Sequence, residues 1–116
     1  MNEKFEKGMK RYEEIFGAGT SKGVHELGDL GKYVANFSYG EVYCRPELSI
    51  RDRQIAAIAN LAGRDGVGDM LRIHIKGGLQ NGLTYKEIEE IIIQTALFSG
   101  FASAIQALNI LKEFRK

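Results

Sequence analysis

Cysteine occurs once in the 116 residues, at Cys44. That excludes an internal disulfide and any multi-cysteine zinc or iron–sulfur site, and it fits a reducing, cytoplasmic setting. An excess of charge of one sign is lacking too. Sixteen basic residues stand against fifteen acidic ones, and a formal net charge of +1 projects no long-range field toward nucleic acid or an anionic membrane. No apolar run approaches the roughly 20 residues needed to cross a bilayer, and the first seven residues carry no apolar leader segment. Strand-like alternation, internal repeats and low-complexity tracts are missing as well. These absences leave a single all-α domain over residues 1–116, cytoplasmic, acting on small molecules or protein partners rather than on nucleic acid or membrane.

What is present is helical periodicity. Phe5, Met9, Tyr12 and Phe16 recur at i, i+4, i+7 and i+11 and predict an amphipathic helix over residues 3–16, stopped by Gly17-Ala18-Gly19. A short second helix carries Val24, Leu27 and Leu30. Residues 32–44 predict a third, which Pro46, the only proline, prevents from continuing because the residue before a proline is pushed out of the α region. On such a helix Glu41, Cys44 and Arg45 share a face. Ser49-x-x-Asp52 reads as the cap of a fourth helix with an inner stripe of Ile55, Ile58, Ala59 and Ala62.

The strongest local signals lie between residues 72 and 94. A helix over residues 69–80 puts Met70, His74 and Gly77 or Gly78 on one side. Paired glycines inside a helix cost about 1 kcal/mol each relative to alanine, so they call for the close approach of another helix or a ligand. Asn81-Gly82 supplies a left-handed stop, Thr84-x-x-Glu87 a capping box, and Leu83 with Ile88 a hydrophobic staple. The helix that follows, through Ile91, Ile92, Ile93, Ala96, Leu97 and Phe98, is apolar almost all round and is expected to be buried on nearly every side. Beyond Ser99-Gly100 a last helix carries Phe101, Ile105, Leu108 and Leu111. The total is about six helices. A helix so apolar in so small a domain implies a partner chain, hence a homo-oligomer.

Few side chains are equipped for chemistry. His74 suits general acid or base work because imidazole titrates near neutrality, and it equally suits a hydrogen-bonded place in the core. Glu41 is the second catalytic candidate, holding His74 in one tautomer or carrying protons itself; the alternative is an ion pair with Arg45 one turn away. Arg45, Arg51 and Arg53 have the forked donors that clamp a substrate carboxylate, Arg45 foremost because it shares the Glu41 face; near a helix start they also serve as solvated or interface residues. Cys44 is placed to line a pocket, with a nucleophilic or redox role as the alternative. His25 is read as a surface residue, and two histidines so far apart provide no metal site.

Two stretches carry a family resemblance. Tyr39-Gly40-Glu41-Val42-Tyr43-Cys44-Arg45-Pro46-x-Leu48-x-x-Arg51-x-Arg53 and His74-x-x-Gly77-x-Leu79-x-Asn81-Gly82-x-Thr84-x-x-Glu87-Ile88-x-Glu90 resemble the carboxymuconolactone decarboxylase family. Gly100-Phe101-Ala102-Ser103-Ala104 is similar to that family's Gly-x-Pro-Ala-Ala segment, with alanine in the proline position. The resemblance, running from about residue 37 to 108, implies an alkylhydroperoxidase D-like helical bundle that assembles into a homohexamer or a smaller ring such as a trimer. It also implies a cofactor-free lyase that decarboxylates a lactone acid from aromatic-compound breakdown, and it favours the catalytic reading of His74. Some relatives in the superfamily are peroxidases using Cys-x-x-Cys-x-x-x-His. Val67 and Met70 stand where those cysteines would fall and Gln54 stands near their relay glutamate, so a thiol-dependent peroxidase here would have to rely on Cys44.

Overall fold

A computed structural model describes residues 2–115, which form two compact units divided between residues 50 and 51. Among the described residues every regular element is helical, and no helix is long and apolar enough to cross a membrane.

The first unit opens with α1 (Glu3–Phe16), whose first turn is capped by the Asn2 side chain accepting from the Phe5 N–H at 2.8 Å. Phe5 and Met9 are buried with Val24 and Ala35, as the spacing predicts, and Tyr12 packs at their edge. Two short helices follow, α2 (Lys22–His25) and α3 (Asp29–Tyr33). The expected single helix over residues 32–44 does not form. After Tyr33 the backbone widens into a π-helix, Val34–Tyr39, in which the Gly40 N–H reaches the Ala35 carbonyl at 2.8 Å; a separate 3-10 turn, Val42–Cys44, comes next. The cause is packing against α1. Tyr39 meets Tyr12 edge-on at 4.8 Å and stacks on Tyr43 at 4.7 Å. At Gly40 a Cβ would lie 2.9 Å from the Lys4 carbonyl of α1. Contact with a neighbouring helix has overridden the local period.

The second unit surrounds one core with four helices, α4 (Ile50–Ala62), α5 (Gly68–Gln80), α6 (Tyr85–Ser99) and α7 (Phe101–Leu111), and ends in a 3-10 turn, Lys112–Phe114. Seven α-helices are therefore present among the described residues where about six were expected. Ile58 and Ala62, Leu71 and Ile75, Leu83, Ile88 and Ile92, and Ala107 and Leu111 supply the buried surface. Complete burial of each Ile or Leu contributes roughly 1.5–3 kcal/mol.

Three inward rows differ from expectation. On α5 the row begins at Leu71, and Met70 is exposed. On α7 the small residues Ala104 and Ala107 face inward with Leu111, leaving Phe101 and Ile105 outside. The largest difference concerns α6, which is not buried on every side: Ile88, Ile92 and Thr95 face the core while Ile93, Leu97 and Phe98 are 56%, 76% and 83% exposed. One helix pressed against one core buries a single stripe, so the second apolar stripe of α6 has nothing in its own unit to pack against.

Candidate active site

His74 sits midway along α5, and the elements on either side of it are anchored. At the C-terminal end, Asn81 Nδ2 donates to the Gly77 carbonyl at 2.7 Å and the Leu83 N–H to the Gly78 carbonyl at 2.9 Å, with Gly82 at φ 105°. The capping box forms as its sequence requires. Thr84 Oγ1 accepts from the Glu87 N–H at 3.0 Å, and Glu87 Oε1 accepts from the Thr84 N–H at 2.9 Å. At the other end Arg72 holds Glu113 through two bonds of 2.8 and 3.0 Å and Asp69 at 3.0 Å.

One glycine of the pair, Gly78, also finds its reason. A Cβ at Gly78 would lie 2.9 Å from Leu83 Cδ1 and 3.2 Å from Ile58 Cδ1, so the missing side chain lets α4 close on α5. The approach brings a residue of α4 to His74. His74 is 7% exposed, and its Nδ1 lies 2.9 Å from Oε1 of Gln54, which is fully buried. Burial lowers the His74 pKa to about 4, because an apolar surround disfavours the charged ring. The imidazole is therefore neutral around neutral pH.

Gln54 was absent from the residues singled out for chemistry by their type, although the sequence held a sign of it. It lies one helical step before Ile58 and two before Ala62, a polar side chain on an apolar row. Arg51 and Arg53 are close to it in the chain and differ in their surroundings. Arg51 Nη2 lies 2.6 Å from Glu87 Oε2, which commits Arg51 to the start of α6. Arg53 is half-buried on α4.

In the first unit, Glu41, Cys44 and Arg45 line one cleft of about 620 Å³ with Lys4, Phe37 and Pro46. The broken backbone thus brings the three together without the helix face expected of them. Glu41 pairs with Lys4, Arg45 Nη2 lies 3.7 Å from Glu47 Oε1, and the Cys44 thiol donates to the Tyr39 carbonyl at 3.1 Å. Cys44 also lines a cleft of about 360 Å³ with Lys7, Lys10, Arg11 and Glu14, in which Glu14 pairs with Arg11 at 3.2 Å. His25 is exposed and rests on Phe5, with ring centroids 5.7 Å apart. The second unit has an open groove of about 450 Å³ between α4 and α6, walled by Ile55, Ala59, Ile91 and Phe98; His74 does not line it.

Comparison with known proteins gives this geometry a context. Residues 28–113 match the carboxymuconolactone decarboxylase family. A 4-carboxymuconolactone decarboxylase of Acinetobacter baylyi is 27% identical over 98% of this chain and 88% of its own length. A nitrosuccinic acid decarboxylase of Metarhizium robertsii is 27% identical over 66% of this chain and 53% of its own length.

Proposed function

The chain belongs to the carboxymuconolactone decarboxylase family, with its alkylhydroperoxidase D-like helical fold, and from that premise we propose that it is a carboxy-lyase. Its substrate is a small carboxylate, a lactone acid from aromatic-compound breakdown, and its catalysis is acid–base work centred on His74 without a cofactor. The relatives' two named substrates, a carboxymuconolactone and nitrosuccinic acid, share one chemical property. In each a carboxylate is attached where the electron pair left by departing CO2 can spread into an acceptor, a lactone carbonyl in one and a nitro group in the other.

The observation that carries this reading is a buried, uncharged imidazole bonded through Nδ1 to a neutral amide. Loss of CO2 converts R–COO⁻ and one proton into R–H and CO2, so the carbon that loses the carboxylate must receive a proton. An anionic substrate favours imidazolium over imidazole. His74 then takes up its proton with the substrate bound and delivers it to the carbanionic carbon. Within the second unit, Arg53, half-buried on α4, is the proposed partner of a substrate carboxylate. Arg51 has the weakest case as a binder because Glu87 occupies it.

The test is release of CO2 from carboxymuconolactone and from nitrosuccinate by the pure protein. His74→Gln is expected to lower kcat by about 10²–10⁴-fold with the fold intact, the usual contribution of a positioned acid or base. Wild-type turnover in that variant would remove His74 from the chemistry.

The protein is also proposed to work as a homo-oligomer. Ile93, Leu97, Phe98, Phe101 and Ile105 are all more than half exposed on α6 and α7, and an apolar groove of about 210 Å³ lies between those helices. A contiguous apolar surface of this kind is the mark of a face covered by another chain.

A further inference from the structure

We propose that Gln54 is a positioning residue for His74, keeping the ring proton on Nδ1 so that Nε2 is the nitrogen that exchanges a proton with the substrate. The kinetic half of this inference rests on the decarboxylase reading; the tautomer half stands on geometry alone. An amide oxygen can only accept a hydrogen bond, so with Oε1 2.9 Å from Nδ1 the proton belongs to Nδ1, and a neutral ring then carries its lone pair on Nε2.

The amide is held firmly enough to impose that choice. Gln54 is fully buried on the same row of α4 as Ile58 and Ala62, and its Cβ lies 3.8 Å from where a Gly78 Cβ would stand, so α5 packs directly against its stem. Its other polar atom, Nε2, has no hydrogen-bond partner among the described residues. The bond to His74 is therefore the polar contact that orients the amide. Turning the amide over would bring an N–H against Nδ1 and force the proton onto the other ring nitrogen, reversing which nitrogen carries the lone pair.

The chemical character of the partner matters as much as its place. A carboxylate on Nδ1 would draw positive charge onto the ring, whereas a neutral amide fixes the tautomer and leaves the ring uncharged until an anion arrives. Glu41, the sequence's own candidate for orienting His74, is paired with Lys4 in the first unit; Nδ1 is served by Gln54.

The experiment is nitrogen-15 NMR of histidine-labelled protein at neutral pH, with His25→Gln used to assign the two histidines. The wild type is expected to show His74 as a single Nδ1–H tautomer. Gln54→Met is expected to show a mixture and to lose roughly tenfold in kcat at nearly constant KM, a part of the 10²–10⁴-fold available to a positioned acid or base. Gln54→Glu, which keeps an acceptor in place, is expected to restore Nδ1–H. An Nε2–H tautomer in the wild type, or an undiminished Nδ1–H tautomer in Gln54→Met, overturns the proposal. If the tautomers behave as stated while no carboxylate releases CO2, the functional reading fails and the positioning role stands.

Discussion

The Arg51 guanidinium lies 2.6 Å from the Glu87 carboxylate, joining the first turn of α4 to the capping box that starts α6. Glu87 Oε1 also accepts from the Thr84 N–H, so one carboxylate both closes a helix end and ties it to a neighbour. The capping bonds and Arg51 together hold the Glu87 pKa below the usual carboxylate value. The two contacts differ in strength. Exposed ion pairs contribute little, because water screens them and two long side chains must be held still. The cap instead satisfies backbone N–H groups of the first turn that the helix itself leaves without a partner.

Thr84→Ala is accordingly expected to destabilise the protein by about 1 kcal/mol, read as a lower denaturant midpoint. Arg51→Gln is expected to shift the midpoint much less. The opposite ranking would mean that the tie between helices matters more than the cap.

Stability should fall with pH in a window set by His74. Its folded pKa of about 4 lies below its ordinary value of 6.5, so between those values the unfolded chain binds a proton that the folded protein does not. The contribution is fully present above pH 6.5 and is lost as pH falls toward 4, by on the order of 3 kcal/mol in all. Glu13, Glu87 and Glu113 are held below their ordinary 4.5, so their losses come at lower pH. Denaturant midpoints measured from pH 7.5 to 5 should slope downward in the wild type and flatten in His74→Gln. An equal slope in both would place the transition elsewhere.

The exposed α6 and α7 face should hold two or more copies together. Sedimentation at micromolar concentration is expected to give a species heavier than the 12.9 kDa chain. Phe98→Asp, at a residue 83% exposed, should shift that species toward the monomer with no change in helix content. A wild type that sediments as a stable monomer would sink the assembly proposal.

Cys44→Ser should retain most decarboxylase activity, because under the proposed chemistry the thiol lines a cleft and donates to the Tyr39 carbonyl, as a hydroxyl also can. The same variant tests the rival chemistry. Hydroperoxide turnover by the wild type that disappears in Cys44→Ser would make the thiol the reacting group, with an external thiol needed to resolve its sulfenic acid.

Much of the molecule is legible along the chain where hydrogen bonds connect near neighbours. The Thr84 and Glu87 box, the stop at Gly82 and the extended residue before Pro46 each depend on groups within a few positions, and each forms as read. Amphipathic spacing also located α1, Ile58 and Ala62 on the core side of α4, and the burial of His74, whereas Ile55 and Ala59, expected in the same inner row, are only partly buried and Gln54 takes the core place. The family motifs were equally visible, since they are strings of residues.

What the sequence by itself determined, then, was the all-helical class, the helix ends and a histidine on a buried row, because backbone capping and apolar periodicity act over one to four residues. The tertiary structure alone decided three further matters. It turned residues 34–39 into a π-helix so that Tyr39 and Gly40 could meet α1. It chose one of the two apolar stripes of α6 for the core and left the other outside. It made Gln54, twenty residues before His74 and on another helix, the partner of Nδ1. In each case the outcome depends on which surface arrives from a distant part of the chain, and periodicity along one helix contains no information about the helix that packs against it.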